Sequence, residues 1–192
     1  MPNYRRLFLP GGTWFFTLNL RYRESDLLTR EIIHLSRAIT RTKRRFPFRI
    51  EAMVVLPEHL HAVLTLPDGD TDFPTRLRLI KSHFVKELPH VPPPEEKSLR
   101  PGERGIWQRR YWEHLIRDER DYRSHVDYCY FNPVKHGHVA EPHEGPYTTY
   151  HRDRRCGRYL GSEEHRNETL ETGESLGGLG VLYAVIRRRT FR

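Results

Sequence analysis

The sequence predicts an α+β protein built on a ferredoxin-like, split β-α-β antiparallel sheet. Segments with strand-like and helix-like hydrophobic patterns follow one another in the order β-α-β-β-α-β. The second and third strands are separated by only two residues, which favours an antiparallel hairpin. Each helical segment has one apolar face, so both helices can pack on the same side of the sheet. We therefore expect the other face of the sheet to be open.

The first strand and the first helix are indicated by an aromatic run and a helical repeat. Residues 13–20, TWFFTLNL, follow a Pro-Gly-Gly turn and are rich in aromatic side chains, as is typical of a strand. In residues 25–45, apolar side chains recur at helical spacing with basic residues between them. Pro47 is expected to end this helix.

The hairpin and the second helix come next. Residues 48–56, FRIEAMVVL, and 59–66, HLHAVLTL, read as strands on either side of Pro57 and Glu58. Glu58 could assist a metal-bound water next to His59, but solvation at the turn is the expected role. The second helix is predicted over residues 75–88, with Thr75 as its N-cap.

A proline-rich loop separates this helix from the last predicted strand. Residues 90–105 are charged and contain four prolines, which favours a loop or flexible insertion. Residues 107–116, WQRRYWEHLI, return to strand character. An additional C-terminal helix follows, with Asp118 as its cap and Pro133 at its end.

Two histidines lie at the start of the third strand. Side chains alternate between the faces of a strand, so His59 and His61 share one face. The opposite face is apolar and belongs against the helices; it is formed by Leu60, Ala62, Leu64 and Leu66. On the open face, two imidazoles can hold one ion and leave positions for another ligand, water and a phosphate oxygen. The alternative is a pair of half-exposed histidines with no ion.

The last helix carries a tyrosine on its polar side. At about 100° per residue, a core-facing stripe is predicted that consists of Tyr122, Val126, Cys129 and Tyr130. Tyr128 points roughly 145° from the middle of that stripe, on the side of Asp121, His125 and Asn132. Its hydroxyl can therefore join a site, with Asn132 one turn further on. The alternative is an ordinary exposed tyrosine.

Together, the histidine pair and the helical tyrosine are suited to cutting a single DNA strand. A metal ion can polarise the scissile phosphate while the Tyr128 hydroxyl attacks it, leaving a phosphotyrosine and a free 3′ hydroxyl. The Asn132 side-chain oxygen can complete the metal shell. The sequence has no phosphate-binding loop of the Gly-x-x-x-x-Gly-Lys-Ser/Thr type. Rejoining needs no nucleotide, because the phosphotyrosine retains the energy of the broken bond.

Three segments carry a resemblance to a known family: LPEHLH, WQRRYWEHLIRDERDY and YCYFNPVKHG. They resemble the REP-associated tyrosine transposases of the HUH superfamily, and the similarity runs over residues 3–150. The resemblance implies an HUH fold, Mg²⁺ or Mn²⁺ as cofactor, and cleavage of single-stranded DNA at small palindromic hairpins. It also implies that His59 and His61 are metal ligands, that Tyr128 is the nucleophile and that Asn132 is the third ligand.

The charge of the chain agrees with a nucleic-acid partner. Its 33 Lys and Arg against 25 Asp and Glu give a formal net charge of +8, and a cationic surface attracts the phosphate backbone. The residues predicted to contact the DNA backbone are Lys81, Arg109, Arg110, Lys135, His136, Arg152, Arg154 and Arg155. Of Trp107, Tyr111 and Trp112, at most one or two are expected to be free to stack on unpaired bases, because strand alternation buries the others.

The remaining predictions concern organisation and alternatives. Residues 1–150 are expected to form the transposase domain, and 151–192 a basic, glycine-containing, loosely ordered tail. With no spanning segment or signal peptide and only two cysteines, the chain is expected to be cytoplasmic and nucleoid-associated, as a monomer or homodimer. Two other functions remain open: a catalytically inactive protein that binds hairpin DNA, and a metal hydrolase that does not use the tyrosine.

Overall fold

The protein structure, a computed structural model, describes residues 8–89 and 104–160. The strands are β1 (Thr13–Asn19), β2 (Arg49–Val55), β3 (His59–Thr65) and β4 (Trp112–Leu115). The helices are α1 (Leu27–Arg30), α2 (Ile32–Arg45), α3 (Phe73–Glu87), α4 (Glu119–Lys135) and α5 (Tyr150–Arg155). None of the helices in these two ranges is long and apolar enough to cross a membrane.

The four strands form one antiparallel sheet in the order β2-β3-β1-β4. This order, with α2 and α3 as the connecting helices, confirms the predicted ferredoxin-like architecture. In the central pair, β3 lies beside β1 so that His59 is opposite Asn19 and His61 is opposite Thr17. The two histidines therefore lie in the middle of the sheet.

Each face of the sheet carries its own hydrophobic core. On one face, Phe16 and Leu60 pack with buried residues of α2 and α3, such as Leu35 and Leu77. On the other face, a second cluster joins the sheet to α4, and its members include Phe15, Val54, Val63, Val126 and Cys129. The face that was predicted to be open is therefore covered by α4, because the apolar side of that helix needs a surface to pack on.

Several helix boundaries differ from the prediction. The first predicted helix is interrupted at Glu31, whose φ of −105° and ψ of 31° lie outside the helical range. The N-cap of α3 is Asp72 and not Thr75, because the Asp72 carboxylate accepts the Thr75 amide at 3.1 Å. Helix α4 has the predicted N-cap, Asp118, but it continues past Pro133 to Lys135. A proline in the last turn removes only its own amide hydrogen bond, so the helix is not forced to stop there.

The fourth strand is shorter than predicted. Only Trp112–Leu115 pairs with β1 as a strand, whereas Trp107 makes a single isolated bridge to Leu20. The segment between them runs beside α3, where the Lys81 ammonium donates to the main-chain oxygen of Gln108 at 2.9 Å. The chain thus approaches the sheet in two separate places before it reaches α4.

The folded part extends beyond the predicted boundary at residue 150. Helix α5 starts there and is fixed to the edge strand β2, because Arg152 donates to the main-chain oxygen of Ile50 at 2.9 Å and to that of Glu51 at 2.5 Å. The rest of the predicted tail, residues 161–192, and most of the predicted loop, residues 90–103, lie outside the described residues.

Candidate functional site

The histidine pair lies on the α4 side of the sheet. His59 and His61 share this face of β3, while Leu60 between them packs into the other core, as the alternation of the strand predicts. Their ring centroids are 4.8 Å apart. Both side chains are buried, at 0% and 1% exposure, because α4 covers this face. The alternative of half-exposed histidines is therefore wrong.

Hydrogen bonds from neighbouring side chains fix the two imidazole rings. Nδ1 of His59 lies 2.9 Å from the Glu58 carboxylate, and Nδ1 of His61 lies 2.9 Å from the Thr17 hydroxyl. An ionised carboxylate can only accept, so His59 donates from Nδ1 and its lone pair lies on Nε2. Both Nε2 atoms are buried in the space between the sheet and α4. This is the arrangement that an imidazole needs to bind a metal through Nε2.

Glu58 is not exposed to solvent at the turn, contrary to expectation. Its side chain is only 2% exposed. Burial by itself would favour the neutral acid, but the hydrogen bond from His59 and the nearby His136 hold the pKa of Glu58 below its ordinary value. Glu58 therefore stays ionised and fixes the orientation of His59.

Tyr128 lies directly against the histidine pair. Its ring makes a T-shaped contact with His61, with centroids 5.0 Å apart, and a second one with Phe15 at 5.7 Å. The side chain is 7% exposed, so the prediction that it lies apart from the core is wrong. The prediction assumed that α4 has a single buried face, whereas this part of the helix is buried on two sides. Tyr130 packs against Tyr150 of α5, and Tyr128 faces the sheet.

Asn132 is buried one turn after Tyr128. Its side chain is 1% exposed, and neither its amide oxygen nor its amide nitrogen has a hydrogen-bond partner within the described parts of the chain. A buried amide without a partner costs about 1–3 kcal/mol. An amide oxygen is also a suitable ligand for a hard divalent ion. The surroundings of Asn132 therefore fit the metal-binding role that the sequence predicts.

His136 lies in the site and not on the surface where it was predicted to contact DNA. It is 4% exposed, and its ring centroid is 5.2 Å from that of His59. A third imidazole is thus next to the predicted metal pair. Sequence periodicity does not show this, because His136 follows the last helical residue and its position depends on how the chain leaves α4.

The other predicted DNA contacts fall into two groups. Two of them are engaged inside the protein: Arg152 binds main-chain oxygens of β2, and Lys81 lies near the rings of Trp107 and Tyr111. Burial lowers the pKa of Lys81 to about 8, so this lysine loses its charge more readily than a surface lysine. The others are exposed: Arg109, Arg110, Lys135, Arg154 and Arg155.

The aromatic side chains near β4 also differ in exposure. Trp112 is 50% exposed and stacks on His114 at 5.8 Å, whereas Trp107 and Tyr111 are partly buried against the first core. Of the three aromatic residues predicted to stack on bases, Trp112 is the one whose face is most accessible. This agrees with the expectation that at most one or two of them are available.

Comparison with known proteins agrees with this architecture. No protein-family model matches the chain. The chain is 50% identical over 159 residues to the REP-associated tyrosine transposase of Escherichia coli (strain K12), which covers 83% of this chain and 88% of that protein. A relative from Haemophilus influenzae, assigned to the same family, is 42% identical over 80% of this chain and 88% of its own length.

A solved structure shows the same relationship. It is that of a REP-associated tyrosine transposase bound to a REP hairpin, and it matches this fold with a TM-score of 0.73 at 46% sequence identity. The match covers 90% of this chain and 100% of that one. The chain therefore belongs to the REP-associated tyrosine transposases, which are enzymes of the HUH tyrosine transposase type.

Proposed function

We propose that this protein cleaves and rejoins single-stranded DNA at palindromic repeat hairpins, with Tyr128 as the nucleophile. The observation that carries this proposal is the contact between Tyr128 and His61, whose ring centroids are 5.0 Å apart. It brings a side chain with a nucleophilic hydroxyl next to a pair of imidazoles suited to hold an ion. Hairpin DNA as the substrate is supported by the related transposase that was solved with a REP hairpin.

The residues that would hold the ion are His59, His61 and Asn132. Their donors are two imidazole nitrogens and one amide oxygen, a mixed set that suits Mn²⁺ and is compatible with Mg²⁺. The buried amide of Asn132, which has no partner within the described ranges, supports this assignment. When bound, the ion would polarise the scissile phosphate. His136, beside His59, is in a position to assist the same site.

Tyr128 would carry the bond exchange. Its phenolic oxygen forms a bond to phosphorus and loses its proton, while the bond from phosphorus to the 3′ oxygen breaks and that oxygen is released as a hydroxyl. The product is a 5′-phosphotyrosine, and attack by a 3′ hydroxyl on it reverses the reaction. The ammonium of Lys135 lies 5.1 Å from the centre of the Tyr128 ring, where its charge favours the negative charge that develops on the oxygen.

The exposed cations are the best candidates for contacts with the DNA backbone. Arg109 and Arg110 precede β4, Lys135 ends α4, and Arg154 and Arg155 lie on α5. Their side chains are exposed, so phosphates can reach them from solvent. Arg152 already holds α5 on β2, and its predicted role in DNA binding is correspondingly less favoured.

The proposal is tested by incubating the full-length protein with labelled single-stranded DNA that contains the repeat hairpins flanking its gene, in the presence of Mn²⁺. We expect a labelled band that stays attached to the protein on a denaturing gel and is absent when EDTA is added. Tight hairpin binding with no such band, for either Mn²⁺ or Mg²⁺, would instead show a catalytically inactive DNA-binding protein.

Glu58→Gln should weaken metal binding without removing a metal ligand. The glutamine amide fills the same space but does not carry the charge that favours the hydrogen bond from His59. Loss of a group that hydrogen-bonds to a metal ligand typically lowers the metal affinity by about 10–100-fold. We expect the Mn²⁺ concentration for half-maximal adduct formation to rise by that factor. The matched control is Glu51→Gln on β2, whose carboxylate is paired with the exposed Arg49 and accepts a hydrogen bond from Thr65. Equal Mn²⁺ dependence of the two variants would contradict the role given to Glu58.

A further inference from the structure

A second group of potential metal ligands lies where β4 meets the start of α4. It consists of His114 on β4, and Asp121 and His125 one turn apart on α4, and we call it the β4–α4 cluster. Their ligand atoms all lie within 4.8 Å of one another. Nε2 of His114 is 2.9 Å from one carboxylate oxygen of Asp121, and Nδ1 of His125 is 3.0 Å from the other. The two imidazole rings are stacked with centroids 4.6 Å apart.

This cluster is separate from the histidine pair of the proposed catalytic site. The ring of Phe15 stands between the two, with its centroid 4.8 Å from that of His125 and 5.4 Å from that of His61. Phe15 is itself buried in the core between the sheet and α4. An ion held by the β4–α4 cluster would therefore be a different ion from one held by His59 and His61.

The spacing within the cluster suits a tetrahedral ion. With metal–ligand bonds of about 2.0–2.1 Å, two ligands of a tetrahedral ion are roughly 3.3 Å apart. The two distances to the Asp121 carboxylate are slightly shorter, so a small outward shift of the side chains would admit an ion. Two imidazoles and one carboxylate form a common set for Zn²⁺, with a fourth position for water. Mg²⁺ and Ca²⁺ prefer oxygen ligands alone.

The surroundings keep the ligands in forms that can bind a metal. Burial lowers the pKa of His125, which favours the neutral imidazole. Burial opposes ionisation of Asp121, but hydrogen bonds from His114 and from the Arg117 amide hold the pKa of its carboxyl below the ordinary value. In the metal-bound form, the proton that links Nδ1 of His125 to the Asp121 main-chain oxygen would move to Nε2 of the same ring, which leaves Nδ1 free to bind the ion. The three side chains are 16–25% exposed, so an ion can reach them from solvent.

We propose that His114, Asp121 and His125 form a binding site for Zn²⁺ or a similar divalent transition metal. Such an ion would join β4 to the first turns of α4, the helix that carries Tyr128. Since the site lies on the outer side of Phe15, it would act by holding the helix against the sheet and would not contact the reacting phosphate. Binding of the ion should therefore raise the stability of the fold with or without DNA.

The test uses a His59→Asn/His61→Asn protein of full length, so that the catalytic pair does not contribute. After treatment with EDTA and dialysis, we expect calorimetry to show one Zn²⁺ bound per chain. Adding His125→Asn should lower the Zn²⁺ affinity at least about a hundredfold, more than the loss of an outer partner. The matched control is His34→Asn. His34 also has a carboxylate partner, Glu31, at 3.0 Å, but it does not belong to the β4–α4 cluster.

Equal Zn²⁺ affinity with His125→Asn and with the control would overturn the proposal. Because the histidine variants can also disturb folding, crystals of the unaltered protein grown with Zn²⁺ give a second test. We expect an anomalous peak at the zinc edge between His114, Asp121 and His125, and its absence would equally rule the site out. These results are independent of whether Tyr128 forms an adduct with DNA, so failure of the zinc site and failure of the proposed reaction are distinguishable.

Discussion

Tyr128→Phe should abolish covalent attachment of the protein to single-stranded hairpin DNA. The substitution removes the only atom of Tyr128 that can bond to phosphorus, and loss of a nucleophile typically lowers the rate by at least about a thousandfold. The phenyl ring can keep its contacts with His61 and Phe15, so the fold and the hairpin affinity should be unchanged. Adduct yield on a denaturing gel and hairpin affinity by fluorescence anisotropy measure the two effects separately.

Two other tyrosines on α4 make this test sharper. Tyr122→Phe is the matched control, because it removes a hydroxyl from a partly buried tyrosine of the same helix and should leave the adduct yield unchanged. Tyr130 is a poor nucleophile, because burial and the hydrogen bond that it donates to Asp153 raise its pKa. A persistent adduct in Tyr128→Phe, or its loss in Tyr122→Phe, would refute the assignment of Tyr128.

The strand pattern predicted the position of the histidine pair correctly. Alternation along β3 depends only on local geometry, so it showed that His59 and His61 share a face and that Leu60 lies on the other. The same local geometry did not show that the face would be covered. That depends on α4, whose residues lie about 60 positions further along the chain, and no pattern in the strand contains this information.

The helical pattern was less informative, because a helix can be buried on several sides. The angle predicted Tyr128 to lie apart from Cys129 and Tyr130, yet all three belong to one buried cluster, and Tyr128 differs only in its neighbour, His61. His136 and the β4–α4 cluster were missed for a related reason. His114 and His125 come from two elements joined by a turn, and only the angle between those elements decides whether their rings meet.

The C-terminal boundary shows what composition alone can miss. Residues after 150 are rich in arginine, which led us to expect a loose tail, yet Arg152 and Asp153 are structural. Asp153 is 3% exposed and forms ion pairs with Arg152 at 2.7 Å and Arg158 at 2.6 Å, besides accepting the hydrogen bond of Tyr130. Charged residues in this short helix therefore join α4, α5 and β2, a role that their composition does not reveal.

Asp153→Ala should accordingly destabilise the fold strongly. Removing the carboxylate removes its ion pair with the partly buried guanidinium of Arg152 and the acceptor of the hydrogen bond from the buried Tyr130 hydroxyl. Breaking a buried pair by removing one partner costs about 3–5 kcal/mol. We expect urea denaturation, followed by circular dichroism, to show a decrease of this size in the free energy of unfolding.

The control for this variant is Arg155→Ala on the same helix. Its side chain is exposed, and surface substitutions of this kind change the free energy of unfolding by no more than about 0.5 kcal/mol. Asp153→Asn, which keeps an acceptor for Tyr130 but removes the charge, should fall between the two. If Asp153→Ala were as stable as Arg155→Ala, the ion pairs would contribute nothing and α5 would have to be held by other contacts, such as the hydrogen bonds from Arg152 to β2. A large loss would instead show that the transposase domain does not end at residue 150, because α5 is then required to hold α4, and with it Tyr128, against the sheet.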